Sequence, residues 1–186
     1  MPRKRRILKE HILDAALELI KDEGFSHFTA RRIAEYLNAS TQPIYKEFKN
    51  MDDLKDNLLD YVKESIQEDV FKISDQDTNL KDMCANYVRF AKEEGTLFCA
   101  LFLGGASSSS PLHECAFDSL NQVMDQMEEL DSRNSSEKKA LIDIIWPSIH
   151  GMAVLTAQGQ FDYSDKEITD KADRVVTYSL AAWQNV

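Results

Sequence analysis

The sequence predicts an all-α protein: a small N-terminal head of three short helices, residues 1–50, standing on a larger antiparallel helical bundle, residues 51–186. Three observations support that division. Apolar residues recur at helical spacing through most of the chain, and no stretch alternates cleanly enough to read as a strand. Turn-forming and helix-capping residues punctuate residues 24–50 at short intervals. Charge divides at the same place: residues 1–50 hold ten Lys and Arg against seven Asp and Glu, a net +3, whereas the remainder holds twelve against twenty-five, a net −13.

Residues 1–6, Met-Pro-Arg-Lys-Arg-Arg, are too polar to fold alone. Leu8, Ile12, Leu13, Ala16, Leu17, Leu19 and Ile20 then form the apolar side of a first helix, which Gly24 stops. Phe25 and Phe28 pin the next turn to the core. Thr29 is placed to cap a second helix carrying Ile33, Ala34 and Leu37 on one face. Asn38 stands where the chain must turn sharply, because Asn tolerates the left-handed backbone region better than other non-glycine residues. Ser40 is the expected N-cap of a third helix. Pro43 falls in its first turn, where a missing amide hydrogen costs little, and Ile44 and Phe48 supply its buried side. Asn50, with Asp53 as a capping-box partner, opens a long helix reaching to about residue 73.

In the bundle, Asp75 to Asn79 breaks the chain before a helix carrying Leu80, Tyr87, Val88 and Ala91 that should end near Gly95. An apolar segment follows over residues 97–103, then the most loop-like stretch, Gly104-Gly105-Ala106-Ser107 to Ser110-Pro111. Leu112, Ala116, Leu120, Val123, Met127 and Leu130 mark another helix. Two long helices, about 137–159 and 165–184, close the chain. Ile168, Ala172, Val175, Ser179, Ala182 and Trp183 give the last one a broad apolar-to-small face that a lone helix would leave too exposed.

Composition narrows the function. With 43% hydrophobic and 29% charged residues the chain reads as a globular protein. No apolar run approaches the roughly 20 residues that span a bilayer, and the basic N-terminus lacks the apolar stretch of a signal peptide, so no membrane association and a cytoplasmic location are expected. Cys84, Cys99 and Cys115 are an odd number without a close pair, which reads as buried free thiols. No metal and no cofactor are expected: His113-Glu114-Cys115 points its side chains in different directions on a helix, and no phosphate loop, paired-histidine zinc motif or nucleophile elbow is present. The chain therefore reads as a non-enzyme.

Two short helices joined by a tight turn, the second rich in small polar residues, match a helix-turn-helix that presents its second helix to the major groove. Here the sequence resembles the tetracycline-repressor (TetR) family over about residues 7–60. Thr29-Ala30-Arg31-Arg32-Ile33-Ala34, Ala39-Ser40 and Ile44-Tyr45-Lys46-Glu47-Phe48 follow its signature in register. The chain departs from the pattern at Asn38, where the family usually has Gly, and at Met51, where it commonly has a phosphate-binding Lys. Trp146-Pro147-Ser148-Ile149-His150-Gly151 resembles a Trp-x-x-x-His-Gly segment of one group of sensing domains in the family.

The resemblance implies a homodimer joined through its last two helices, a double-stranded DNA operator, and repression relieved by a small-molecule effector. Thr41, Gln42 and Pro43 are the expected base readers and Arg31 a candidate for a guanine edge, with Thr29, Ser40, Tyr45, Lys46 and Lys49 completing the DNA-facing set. The arm of Arg3, Lys4, Arg5 and Arg6 is either a solvated tail or a minor-groove and phosphate contact. Tyr45 either packs the head or reaches a phosphate. Tyr87, Phe90, Phe98, Phe102, Trp146 and His150 are the candidate ligand pocket, with core packing as the plain alternative. The rival from another class is a helical adaptor of the same fold that binds a protein partner.

Overall fold

The computed structural model describes residues 7–72, 78–103, 111–130 and 132–184. The arm Arg3–Arg6 and the loop expected at 104–110 lie outside these. Among the described residues there is no strand, and the helices run α1 (Lys9–Glu23), α2 (Ala30–Tyr36), α3 (Gln42–Glu47), α4 (Met51–Ser65), α5 (Leu80–Glu93), α6 (Gly95–Phe98), α7 (Pro111–Met124), α8 (Ser135–Ala157) and α9 (Asp165–Gln184).

Local chemistry sets the boundaries in the head. Gly24, at φ 69°, ends α1 by returning its amide to the Ile20 carbonyl at 3.0 Å. Ile12, Ala16, Leu19 and Ile20 of α1 are fully buried in one core with Ile33 and Ala34 of α2, Ile44 of α3 and Phe48 just after it. Asn50 caps α4 by accepting the Asp53 amide at 2.8 Å. The Asp53 carboxylate, expected to close the capping box on Asn50, instead accepts from the Lys49 amide one residue earlier, at 2.8 Å. The helix from 51 is shorter than expected: α-helical bonding ends at Ser65 and passes into a π-helical turn, Ile66–Val70.

In the body, α5 lies between α8 and α9, and α4 packs on α7. A second π-helical turn, Cys99–Leu103, follows α6 and turns Ala100, Leu101 and Phe102 inward. The helix expected from Leu112 to Leu130 stops at Met124, after which a 3-10 turn, Glu128–Leu130, returns Leu130 to the core. Asn134 opens α8 with a complete capping box: it accepts from Ser136 and Glu137 while the Glu137 carboxylate takes the Asn134 amide. The expectation of no span-length apolar stretch needs correction at α8, whose 23 residues are long and apolar enough to cross a membrane by length and composition. Interspersed Ser, Thr, His and Gly break its apolar runs without much lowering its mean hydropathy. It packs against α5, α7 and α9 and buries Leu141, Ile142, Ile145, Ile149 and Ala153 in the body's core. Cys84 and Cys115 are buried, Cys99 is half-buried, and all three are free; burial pushes the Cys84 thiol up to about 12.

The last helix differs from its expectation. Ile168, Ala172 and Ser179 face inward and are buried within the chain, because α5 and α8 of the same molecule cover them. The outward stripe of α9 is instead Lys171, Val175, Tyr178 and Ala182, and Tyr178 is 69% exposed. On α8 the outward stripe is Ile144, Ser148, Gly151 and Leu155. A Cβ added at Gly151 would meet nothing within 4 Å.

Candidate nucleic-acid interface

The interface is built around the turn between α2 and α3. Thr29, in extended backbone, accepts the Arg32 amide on its hydroxyl at 3.3 Å and so starts α2. Asn38 takes up the left-handed conformation at φ 49°. Its amide reaches the Glu35 carbonyl at 3.0 Å, while the Ala39 amide reaches the Ala34 carbonyl at 2.9 Å. These two bonds form a Schellman motif with Asn in the place that Gly usually takes. The chain is thereby reversed within a few residues and delivers α3 across α2.

Ser40 does not cap α3. The helix opens one residue later, on Thr41, whose backbone is already helical and whose hydroxyl makes no capping bond. The Thr41 carbonyl accepts from both Ile44, at 3.1 Å, and Tyr45, at 3.4 Å. Because Pro43 lacks an amide hydrogen, one of the donors a cap would satisfy is missing. The Ser40 and Thr41 hydroxyls are thus left without a capping role.

Ile44 and Phe48 anchor α3 with 1% and 3% of their surfaces exposed. Gln42, Tyr45 and Lys46 occupy the opposite face and are exposed, and Pro43 and Thr41 are half-buried beside them. Tyr45 is 57% exposed, so its ring lies outside the head's core. Lys49 is exposed just before α4.

The neighbouring arginines do different jobs. Arg32 is half-buried and clamps Glu23 of α1 and Glu35 of its own helix. Arg31 is 88% exposed and reaches Glu35 through Nε at 3.3 Å. Arg32, with Arg31 in second place, holds the Glu35 carboxyl below its ordinary range. Two tyrosines tie down the acidic side of α1: Tyr36 donates to Asp22 at 2.6 Å, which pushes its phenol up to about 12, and Tyr61 donates to Asp14 at 2.7 Å.

In the body the six residues expected to cluster do come together. Tyr87 is buried at the centre, with ring centroids 5.4 Å from Phe98, 5.2 Å from Phe102 and 5.0 Å from Trp146, and Phe90 packs on Phe98 at 6.1 Å. The Tyr87 hydroxyl meets Nδ1 of His150 at 2.9 Å, and His150 stacks on Trp146. Sequence reasoning missed Phe71, Phe117 and His113, which join the same cluster from the end of the α4 segment and from α7. Helical spacing puts these residues on inward faces but does not say which inward faces meet. Burial lowers the pKa of both His113 and His150, and His113 lowers that of His150 further. A groove of about 500 Å³ beside α5, lined by Leu80, Met127, Val176 and Leu180 among others, includes none of the six rings.

Residues 12–58 match the profile of bacterial regulatory proteins of the tetR family, and residues 80–179 match that of the tetracyclin repressor-like C-terminal domain. The chain belongs to the TetR family of transcriptional regulators. Solved TetR structures share the fold along nearly the whole length. A TetR-like regulator from Rhodococcus sp. RHA1 superposes with a TM-score of 0.69 at 16% identity, covering 97% of this chain and 98% of that one. FadR from Bacillus subtilis, solved in complex with stearoyl-CoA, superposes with a TM-score of 0.61 at 17% identity, covering 92% and 97%. A regulator from Aquifex aeolicus VF5 gives 0.61 at 16%, covering 91% and 98%. No curated protein sequence matches the chain. In this TetR protein the helix-turn-helix helices are therefore α2 and α3.

Proposed function

We propose that the chain is a homodimeric, sequence-specific DNA-binding repressor, with residues 1–50 as the DNA-binding unit and residues 51–186 as the sensing and dimerising unit. The observation that carries this reading is α3 itself: a short helix anchored by Ile44 and Phe48 that turns Gln42, Tyr45 and Lys46 outward, beside an unburied Arg31. Gln42 and Arg31 suit base edges in the major groove, while Tyr45, Lys46 and Lys49 suit phosphates. Thr29 and Ser40 serve at the margins, and Thr41 and Pro43 sit at the leading end of α3. The arm Arg3–Arg6 adds charge, and residues 7–50 alone hold six Lys and Arg against seven Asp and Glu, so the head is net positive only with it.

The outward stripes of α8 and α9 support a dimer. Ile144, Tyr178 and Ala182 are exposed and Gly151, Leu155 and Val175 half-buried, an apolar-to-small stripe that the chain covers only in part. A helix-interior Gly costs about 1 kcal/mol relative to Ala, and at Gly151 the open space gives a lone molecule no reason for it. Close approach of a partner helix supplies one. Two recognition helices related by the dimer axis would meet half-sites about 34–36 Å apart.

For the signal, the ring cluster of Tyr87, Phe90, Phe98, Phe102, Trp146 and His150 is the site proposed for a small apolar effector. The decisive experiment is a gel shift on the DNA flanking the protein's own gene, with light scattering on the same sample. A dimer that binds one palindromic segment supports the reading. A monomer, or binding indifferent to sequence, refutes it.

A further inference from the structure

The effector reading leaves two imidazoles without a task. His150 sits on α8 and His113 on α7, with ring centroids 5.6 Å apart and nearly perpendicular planes. Both are half-buried among rings, with Phe102 5.7 Å from His113 and Trp146 stacked 5.5 Å from His150. In a purely apolar core, such polar groups cost free energy unless they find partners.

Hydrogen bonding decides what His150 offers. The buried Tyr87 hydroxyl has one partner among the described residues, Nδ1 of His150 at 2.9 Å. With that single partner the Tyr87 hydroxyl donates, since the reverse arrangement would leave its own hydrogen buried and unpaired. Nδ1 is then the acceptor, and the ring's remaining hydrogen is on Nε2. His150 thus presents an N–H donor held in place by Tyr87. His113 makes no hydrogen bond among the described residues and carries a donor of its own.

The surroundings hold no charge that answers these donors. Among the described residues the titratable groups in contact with His150 are Tyr87 on α5 and His113 on α7. α6 and the π-helical turn after it contribute rings, Phe98 and Phe102, and no α9 charge bears on His150. Two donors set in aromatic walls, lacking a carboxylate of the protein's own, fit a carboxylate brought by something else.

We infer that His113 and His150 read an acidic head group, so that the effector is an aromatic or apolar molecule ending in a carboxylate. This rests on the ring cluster being the effector site. The rings pack the apolar body, and Tyr87 acts as a positioning residue that holds the His150 tautomer. The bound carboxylate favours the charged imidazole, so binding takes up a proton. The sign follows. In the free protein burial lowers the pKa of both histidines, which favours their neutral rings. The anion raises their pKa in the complex, so affinity climbs as pH falls through the bound-state value and levels off below the free-state value.

The test is calorimetric titration of the full chain with 2-naphthoate and its neutral counterpart 2-naphthamide, between pH 6 and 8, in two buffers of unlike ionisation enthalpy. The acid should bind about tenfold more tightly than the amide at the low end of this range, with measurable proton uptake. His113→Phe should weaken the acid more than the amide and so shrink that preference, with less proton taken up on binding. Equal binding of acid and amide without proton uptake would overturn the head-group assignment and leave the ring cluster as an effector site. Binding of neither would overturn both. A readout free of any ligand is the nitrogen spectrum of His150, where an Nδ1–H tautomer would also overturn the inference.

Discussion

The head and the body use their aromatic and cationic side chains in opposite ways. In the head, Ile, Leu and Ala fill the centre of α1 to α3, Tyr45 stands in solvent, and the ionic groups are sorted into one that braces and one that is displayed, Arg32 and Arg31. In the body the large rings turn inward around Tyr87, and the Tyr87 hydroxyl lies among them with the two half-buried imidazoles. The difference teaches where each kind of recognition has to occur. A surface that meets a hydrated polyanion keeps its donors outside and gains from charge. A site for an apolar molecule must exclude water, and makes a few enclosed polar groups selective.

The comparison breaks most visibly at Phe48. Truncation to Ala should cost about 3–5 kcal/mol, melt the head and abolish operator binding. If the head is a separate unit, the near-ultraviolet dichroism of the body's ring cluster survives; its loss would mean that head and body fold as one.

Replacing Arg3, Lys4, Arg5 and Arg6 together by Ala leaves the head net negative. If all four contact phosphates, the slope of log affinity against log salt should become shallower by about 3.6. An unchanged slope would make the arm a solvated tail. Gly151→Leu should weaken the dimer by roughly 2 kcal/mol or more, as a central interface position does, while the free space around Gly151 lets the monomer fold. Sedimentation at micromolar concentration reads this directly, and an undisturbed dimer would move the interface elsewhere.

Smaller effects sharpen the account of the turn. Asn38→Ala should lose about 1–2 kcal/mol in thermal denaturation because Ala tolerates the left-handed region poorly, whereas Asn38→Gly should not destabilise. Thr29→Ala should cost about 1 kcal/mol as a lost cap, against under about 0.5 kcal/mol for Ser40→Ala. A large Ser40 effect on stability would restore it as a cap.

Much of the head was legible in the sequence because short-range chemistry decides it. Thr29, Asn38 and Pro43 each act on residues within one turn, so their roles follow from type and spacing. Ser40 misled for the same reason that it attracted notice: a hydroxyl two residues after Asn38 is well placed only if the helix starts there, and with Thr41 in the cap position Pro43 becomes the second helical residue instead of the third. Arg32 could be paired with Glu35 from spacing, but its bond to Glu23 depends on how α2 lies against α1. The body was legible to the extent that its helices are periodic. Which of two apolar stripes on α9 faces its own chain was not, since Ile168 and Ala172 are as suitable for a partner as for α5. The joining of His113 to His150 likewise depends on the approach of α7 to α8.

Two contacts limit how the head can move. The head rests on the body along α4, where Tyr61 donates to Asp14 and Lys9 to Asn57, and again where α1 lies on α6, with Thr96 against Gly24. Behind that contact Gly95 fits so closely to the end of α8 that an added Cβ would lie 3.0 Å from the Ala157 carbonyl oxygen. An object pinned at two points has one rotation left, about the line that joins the pins. While both contacts hold, the head can sweep only along a single arc, and any change in the body reaches it as a position on that arc rather than as a direction in space.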